Sequence, residues 1–220
     1  MTKVIFNGNI IEEKDANVSI ADKGYFFDFA VYSSMKVIQG KIFFPDYHVV
    51  RLFESAKLIG LEHNFSEKEV LNWLNKLVEI NKTKDSLLRA VLIGDPDNNK
   101  AKLFIFPISG LTYYPSKLYK HGAKVITYHG ERLIPQSKTK NMLMGFMALR
   151  EAKNKSAIEA LLIDNLGNIR EGTRTNFFAI KDKTIFTAPD NEVLEGITRK
   201  IILEISKKDF DIKHEDIPAN

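Results

Sequence analysis

The chain has 220 residues, of which 44% are hydrophobic and 27% charged, with 32 Lys and Arg against 28 Asp and Glu and a net charge of +4. Its first residues, "MTKVIFNGNIIEEKD", show no secretory-signal pattern, and no run approaches the ~18 apolar residues that cross a bilayer, so we expect a soluble cytoplasmic protein without a membrane partner. Zero cysteines exclude disulfides, thiol catalysis and cysteine-ligated metal centres, and the even spread of basic residues among acids disfavours a nucleic-acid partner.

The first 108 residues carry the patterns of a small α/β unit. "KVIFNGNII" alternates around an Asn-Gly pair typical of a hairpin turn, and "SSMKVIQGKIFF" is a second candidate hairpin. Helical spacing of apolar residues predicts a helix over 46–59 that Gly60 ends. Ser66 and Glu69 form a capping box that opens a second helix. The runs "LLRAVLI" and "KLFIFPI" predict strands on either side of the loop "GDPDNNKA".

The second half of the chain predicts a separate unit. The segment "SGLTYYPSKLYKHG" has no period and carries Gly, Pro and Ser, which is typical of a connector. After it we predict a strand in "AKVITY", a helix over about 141–153, strands in "EALLID", "NFFAI" and "TIFTA", and a helix from near Ile197. We therefore expect two domains, at 1–108 and 121–220, joined by a connector at 109–120.

Four polar residues lie where elements begin or end, positions that often face clefts. They are Arg51 in the first long helix, Lys138 in "IPQSKTKNM", Glu171 in "NIREGTRTNFF" and Thr198 in "LEGITRK". Each alone has an ordinary explanation as an exposed charge, a strand end or a helix cap. Together they fit pyridoxal 5'-phosphate, which requires a lysine amine, an acid for its pyridine nitrogen and an anion site for its phosphate.

In this interpretation each residue has one role. Lys138 supplies the amine, and Glu171 keeps the pyridine nitrogen protonated. The phosphate rests on the N–H groups that open the helix after Gly196, a residue that allows close approach, and Arg51 adds a bidentate clamp. No metal is expected.

The blocks "HVVRLFESAKLIG", "IPQSKTKNM", "ALREA", "LLIDNLGNIREGTRTNFFAI" and "LEGITRKIILEI" occur in an order that resembles the fold-type IV pyridoxal-phosphate enzymes. These are the class IV aminotransferases, which include branched-chain and D-amino-acid aminotransferases and aminodeoxychorismate lyase. The resemblance implies a two-domain α+β fold, with a small N-terminal α/β domain and a larger barrel-like α+β domain, in a homodimer. It also implies that Lys140 is a solvated neighbour. The site residues that it implies are Lys138 as the catalytic amine, Arg51, Glu171, Arg174, Thr175, Ile197 and Thr198 for the cofactor, and Tyr32 and Arg89 for the substrate.

Departures from the family pattern bear on the substrate. "FFDFAVY" replaces a glycine-rich turn, and Met142 follows Asn141 where branched-chain enzymes usually have tyrosine. Ile93 precedes Gly94 where D-amino-acid members usually have arginine, which argues against a D-amino-acid substrate. We expect transfer from branched-chain or similar aliphatic L-amino acids to 2-oxoglutarate, because no basic side chain is obviously placed for a chorismate-derived substrate.

Two alternatives stay open, namely an aminodeoxychorismate lyase that releases pyruvate and a cofactor-binding relative without turnover. Relatives continue for some tens of residues past "DIKHEDIPAN", through a small-residue turn that contacts the phosphate and the substrate carboxylate. On that resemblance we expect this 220-residue form to bind the cofactor more weakly and to transaminate little.

Overall fold

The computed structural model describes residues 1–97, 100–108 and 110–219, which form two compact units. One unit contains Met1–Tyr113 and Ser137–Lys140, and the other contains Tyr114–Gln136 and Asn141–Asn220. The segment around Lys138 thus belongs to the first unit. The domain boundaries given above stay a prediction. Within the described residues, no helix is both long enough and apolar enough to cross a membrane.

The first unit is built on a six-stranded antiparallel sheet with strand order β2-β1-β6-β5-β3-β4. Both predicted hairpins are confirmed, and their turns place Asn7, Gly8, Gln39 and Gly40 at positive φ. Asn98 and Asn99 of the predicted loop "GDPDNNKA" lie outside the described residues. The strands are β1 (Lys3–Phe6), β2 (Asn9–Glu12), β3 (Ala30–Ile38), β4 (Lys41–Ile42), β5 (Ser86–Ile93) and β6 (Lys102–Pro107).

Two long helices, α2 (Pro45–Leu58) and α3 (Glu67–Ile80), pack with the sheet around one hydrophobic core. Both were predicted. Gly60 follows α2 with φ +69°, and the Ser66 capping box opens α3. The single-turn helix α1 (Lys23–Phe26) and a 3-10 turn at Glu13–Asp15 were not predicted, because segments this short show no apolar period.

The second unit contains two three-stranded sheets and three helices. The mixed α+β class is confirmed, although these described strands form two separate sheets rather than one closed barrel. In the first sheet β7 and β8 are parallel and β8 and β9 antiparallel; in the second, β10 and β11 are antiparallel and β11 and β12 parallel. The elements are α4 (Ser116–His121), β7 (Val125–His129), α5 (Leu143–Asn154), β8 (Glu159–Ile163), β9 (Ile169–Gly172), β10 (Ala179–Lys181), β11 (Thr184–Thr187), α6 (Ile197–Ser206) and β12 (Asp211–His214).

Three of these elements were missed in the sequence. The strand β9 is polar yet fully buried, because Arg170 forms ion pairs with Asp164 and Asp216. The strand β12 has one apolar residue, Ile212, and is added by parallel pairing with β11. The helix α4 begins inside the predicted connector and ends one residue beyond it, and Ser109 of that connector lies outside the described residues.

Candidate functional site

The backbone around Lys138 lies against β3 in the first unit. The backbone N–H of Tyr32 donates to the Lys138 carbonyl at 3.0 Å, and the backbone N–H of Lys140 donates to the Ala30 carbonyl at 2.8 Å. An isolated antiparallel bridge pairs Val31 with Thr139 between these bonds. One edge of β3 is paired with β5, and its other edge fixes the backbone at Lys138.

A second anchor comes from α2. The backbone N–H of Lys138 donates to Ser55 Oγ at 3.0 Å, and Ser137 Oγ donates to the Ser55 carbonyl at 2.9 Å. Both serines are buried. Arg51 lies one helical turn before Ser55, so the helix that fixes the backbone of Lys138 also presents Arg51.

Three predicted residues meet around one aromatic ring. Lys138 Nζ lies 4.8 Å from the centroid of the Tyr32 ring, and Arg89 Cζ lies 5.2 Å from the same centroid. Arg89 Nε also donates to Ser34 Oγ at 3.1 Å, which restricts its guanidinium. The ring of Tyr32 thus has two cations beside it, an arrangement suited to negatively charged ligands.

Arg51, which is half-buried, belongs to a polar cluster with the buried Ser33 and His48 that the sequence did not predict. Its Nη2 donates to Ser33 Oγ at 3.2 Å, and Ser33 Oγ lies 2.9 Å from His48 Nδ1. Burial first, and then the positive charges of Arg51 and Lys138, lower the pKa of His48 from 6.5 to about 3. The imidazole is therefore neutral beside two cations, and the excess positive charge favours an anion such as phosphate.

Lys140, which the resemblance implies is a solvated neighbour, is partly exposed and ion-paired. Its Nζ pairs with Asp28 and lies 5.4 Å from the centroid of the Tyr25 ring. The amine of Lys140 is thus directed at a carboxylate, whereas that of Lys138 lies over the ring of Tyr32.

In the second unit, Glu171 is the penultimate residue of β9 and a buried carboxylate with 6% of its surface exposed. Arg132 Nη1 lies 3.5 Å from Glu171 Oε1 and also donates to the Pro135 carbonyl at 3.2 Å. Asn176 Nδ2 donates to Glu171 Oε2 at 3.4 Å. Glu171 therefore has one cation and one amide donor directed at its carboxylate, the kind of group that a protonated pyridine nitrogen pairs with.

The loop after Glu171 is held by a second buried carboxylate, Glu159. It accepts hydrogen bonds from Thr173 Oγ1 at 2.6 Å, from the Thr173 N–H at 3.2 Å and from Thr175 Oγ1 at 3.3 Å. Arg174, between the two threonines, is exposed. The Glu159 carboxylate thus fixes the hydroxyl of Thr175, which was predicted to line the cofactor's edge.

The start of α6 is locked in place by Arg199, whose surface is 2% exposed. Its guanidinium donates to Asp190 Oδ1 at 2.7 Å and to the Ala188 carbonyl at 2.8 Å. The first N–H groups of any helix have no partner inside the helix, and the helix dipole there favours an anion. Ile197 and Thr198, which begin α6, therefore suit the phosphate role predicted for them.

These residues fit pyridoxal phosphate by the chemistry of their donors. The first unit contains a lysine amine beside an aromatic ring and an arginine in a positively charged cluster. The second supplies a buried carboxylate and a helix start. No cluster of three or more His, Asp or Glu side chains suited to a metal occurs in the ranges that the structure covers.

Comparison with known proteins supports the same interpretation. The family described as amino-transferase class IV matches residues 30–220. The D-alanine aminotransferase of Bacillus licheniformis is 33% identical over 218 residues, which cover 94% of this chain and 75% of that protein. A putative branched-chain-amino-acid aminotransferase of Methanocaldococcus jannaschii is 30% identical over 219 residues, with the same two coverages. The chain belongs to the class IV aminotransferases.

Solved structures share the fold of this aminotransferase. A branched-chain aminotransferase from Thermoproteus uzoniensis, in complex with norvaline, matches with a TM-score of 0.90 and 23% identity over 99% of this chain and 79% of that one. A T.th. branched-chain amino acid aminotransferase with pyridoxamine 5'-phosphate matches with a TM-score of 0.89 and 24% identity over 99% and 77%. Class IV aminotransferases depend on pyridoxal phosphate and act on amino and oxo acids. When bound, the cofactor supplies an aldehyde that condenses with amines and a ring that accepts electrons from the substrate.

Several residues of this candidate site gave no usable signal in the sequence. Ser55 contacts Lys138 across 83 positions, and Arg132 contacts Glu171 across 39. Residues this far apart in the sequence share no local spacing or periodicity that could reveal the contact. Asn176 lies only five positions after Glu171, in a segment rich in turn residues, and this spacing was the one available cue.

Proposed function

We propose that this aminotransferase moves the amino group of branched-chain or similar aliphatic L-amino acids to 2-oxoglutarate. The observation that supports this choice is that Arg89 and the amine of Lys138 both lie beside the ring of Tyr32. 2-Oxoglutarate carries two carboxylates, and a guanidinium binds a carboxylate in a bidentate manner. An aliphatic donor offers an apolar side chain instead, which the Tyr32 ring can contact.

The residue roles form part of the proposal. Lys138 would hold the cofactor through Nζ, and its amine would carry the proton that leaves the substrate Cα. Glu171 pairs with the protonated pyridine nitrogen. Arg51 donates to the phosphate as a cation. The remaining proposed contacts are the N–H groups of Ile197 and Thr198 to the phosphate, and Arg174 and Thr175 along the cofactor's edge.

Position 93 supports the L-amino-acid choice. Ile93 is 5% exposed and packs with Ala30 and Phe104 in a small apolar cluster. It offers no cation where D-amino-acid members usually have an arginine. The names of the relatives nevertheless include both D-alanine and branched-chain aminotransferases, so both donors belong in the test.

The substrate assignment is tested by comparing L-leucine and D-alanine as donors, with 2-oxoglutarate and pyruvate as acceptors. We expect kcat/KM to be highest for L-leucine with 2-oxoglutarate. Faster turnover of D-alanine would contradict the proposal, and pyruvate release from aminodeoxychorismate would indicate the lyase. Absence of turnover with a normal cofactor spectrum would indicate a binding relative.

Arg89→Leu tests the carboxylate role directly. We expect KM for 2-oxoglutarate to rise about 10-fold or more, as for loss of a charged hydrogen bond, while the half-reaction with L-leucine changes little. Lys36→Leu, which removes an exposed cation from the neighbouring strand β3, is the control. Equal changes in both half-reactions of Arg89→Leu would remove Arg89 from acceptor recognition.

We infer further that the enzyme is a homodimer. Phe26 and Phe27 are 75% and 65% exposed and adjoin the half-exposed Tyr25, and an apolar patch of this kind suits a subunit contact. Sedimentation of the wild type against Phe26→Ser/Phe27→Ser tests it, since the double variant should dissociate. The cytoplasmic location stays a prediction from sequence.

A further inference from the structure

We propose that Asn176 is a positioning residue that holds the Glu171 carboxylate and the start of α6 at a fixed separation. The inference rests on the roles proposed above for Glu171 at the pyridine nitrogen and for α6 at the phosphate. Asn176 itself is proposed to contact neither the substrate nor the cofactor. Its effect is transmitted through the two groups that it joins.

The side-chain amide of Asn176 makes both connections. Nδ2 donates to Leu194 O at 2.9 Å and to Glu171 Oε2 at 3.4 Å, which uses both hydrogens of the amide. Leu194 O also accepts the N–H of Gly196 at 2.8 Å, and Gly196 is the residue that caps α6. One amide therefore links the carboxylate at the end of β9 to the turn that begins the helix.

The main chain and the packing support the same link. Asn176 pairs with Glu171 through an isolated antiparallel bridge, so its backbone is fixed to the end of β9. A Cβ atom added to Gly196 would overlap Asn176 Oδ1. Gly196 has φ −65°, which any residue adopts, so its backbone conformation does not require glycine. The glycine leaves room for the side chain of Asn176.

The link between Glu171 and α6 matters because the cofactor that they are proposed to bind is largely rigid. In pyridoxal phosphate the ring nitrogen and the phosphate are separated by a nearly fixed distance. Two anchors at the matching separation reinforce each other, because the first contact places the second group at high effective concentration. Loss of the Asn176 amide should reduce this mutual reinforcement more than it reduces either contact alone.

The experiment compares three probes on the apoprotein of the wild type and of Asn176→Ala, namely pyridoxal phosphate, pyridoxal and inorganic phosphate. Binding is followed by quenching of protein fluorescence and, for phosphate, by competition. We expect Kd for pyridoxal phosphate to rise about 10-fold or more and Kd for each fragment to rise distinctly less. Asn165→Ala, which removes an exposed amide bonded to Glu131, should change none of the three.

Gly196→Ala gives an independent route to the same effect, because its Cβ displaces the side chain of Asn176. The single variant should weaken pyridoxal phosphate binding as Asn176→Ala does. The double variant should be no weaker than either single one, since the overlap and the link disappear together. Thermal unfolding of each apoprotein identifies variants that fail to fold. If Asn176→Ala fails to fold, Asn176→Ser takes its place.

The outcomes separate this inference from the proposed function. A wild type that binds no pyridoxal phosphate would overturn the proposed roles of Glu171 and α6. A wild type that binds it normally, together with folded Asn176 variants of unchanged affinity, would overturn only the inference. Equal losses for the whole cofactor and for its fragments, or additive effects of the two substitutions, would also overturn it.

Discussion

The hydroxyl of Ser55 accepts a hydrogen bond from the backbone N–H of Lys138 at 3.0 Å, although the two residues are 83 positions apart. Ser137 donates to the carbonyl of the same Ser55 at 2.9 Å. The backbone of Lys138 is therefore fixed to α2, the helix that also carries Arg51. The role proposed for Lys138 requires its amine to be held in a defined place, so this bond gives the first prediction.

Ser55→Ala should impair catalysis beyond its effect on stability. The variant leaves the Lys138 N–H without its acceptor, which costs about 1–3 kcal/mol of unfolding free energy, and we expect kcat to fall about 10-fold as the amine is misplaced. Chemical denaturation and steady-state rates measure both. Ser66→Ala is the matched control, because loss of the α3 cap costs about 1 kcal/mol at a distance from the proposed site. Equal kcat in the two variants would refute the positioning role of Ser55.

Lys138→Ala should abolish both turnover and the absorbance of the bound cofactor near the visible edge. Lys140→Ala should retain both, because it removes only a partly exposed ion pair with Asp28, typically worth ~0–1 kcal/mol. Absorbance scans before and after borohydride treatment distinguish the two lysines. Loss of the absorbance in Lys140→Ala, with its retention in Lys138→Ala, would reverse the assignment.

Glu171→Gln should leave the cofactor bound but slow removal of the substrate Cα proton. An amide cannot hold the pyridine nitrogen protonated, and the expected loss in transition-state stabilisation is ~2–4 kcal/mol. Single-turnover rates with L-leucine measure it. Glu195→Gln, which changes an exposed carboxylate near Lys200, should match the wild type. An unchanged rate in Glu171→Gln would remove Glu171 from its proposed role.

The stability of the enzyme should depend on pH through His48. The unfolded state binds a proton at this histidine near pH 6.5, whereas in the folded state burial and two nearby cations lower its pKa to about 3. Its contribution is therefore fully present above pH 6.5 and is lost as the pH falls toward 3, by up to about 1.4 kcal/mol per pH unit.

Urea unfolding of the wild type and of His48→Gln between pH 7.5 and about 5 isolates this contribution. Below pH 6.5, the free energy of unfolding of the wild type should decrease more steeply with falling pH than that of His48→Gln. His121→Gln controls for loss of an exposed imidazole. A difference that is constant with pH would show that His48 titrates alike in both states.

Local patterns were sufficient for much of the fold. The two hairpins, α2 and α3 were predicted because alternation, helical spacing, turn glycines and the Ser66 capping box are all contiguous signals. The strand β9 was missed because its burial depends on Arg170 finding carboxylates at Asp164 and Asp216. Short polar strands acquire their structure from partners, and the partners of β9 include a residue 46 positions away.

The sequence by itself determined which residue types were available to bind pyridoxal phosphate and, through the order of five blocks, the family. Only the tertiary structure decided how those residues are held. It joined Lys138 to Ser55, placed the charges of Arg51 and Lys138 near His48, and paired Lys140 with Asp28. Hydrogen bonds and charges act over a few ångströms of space, whatever the number of residues between them. Distances of that kind are set by the packing of the folded chain, so they could not be read from its order.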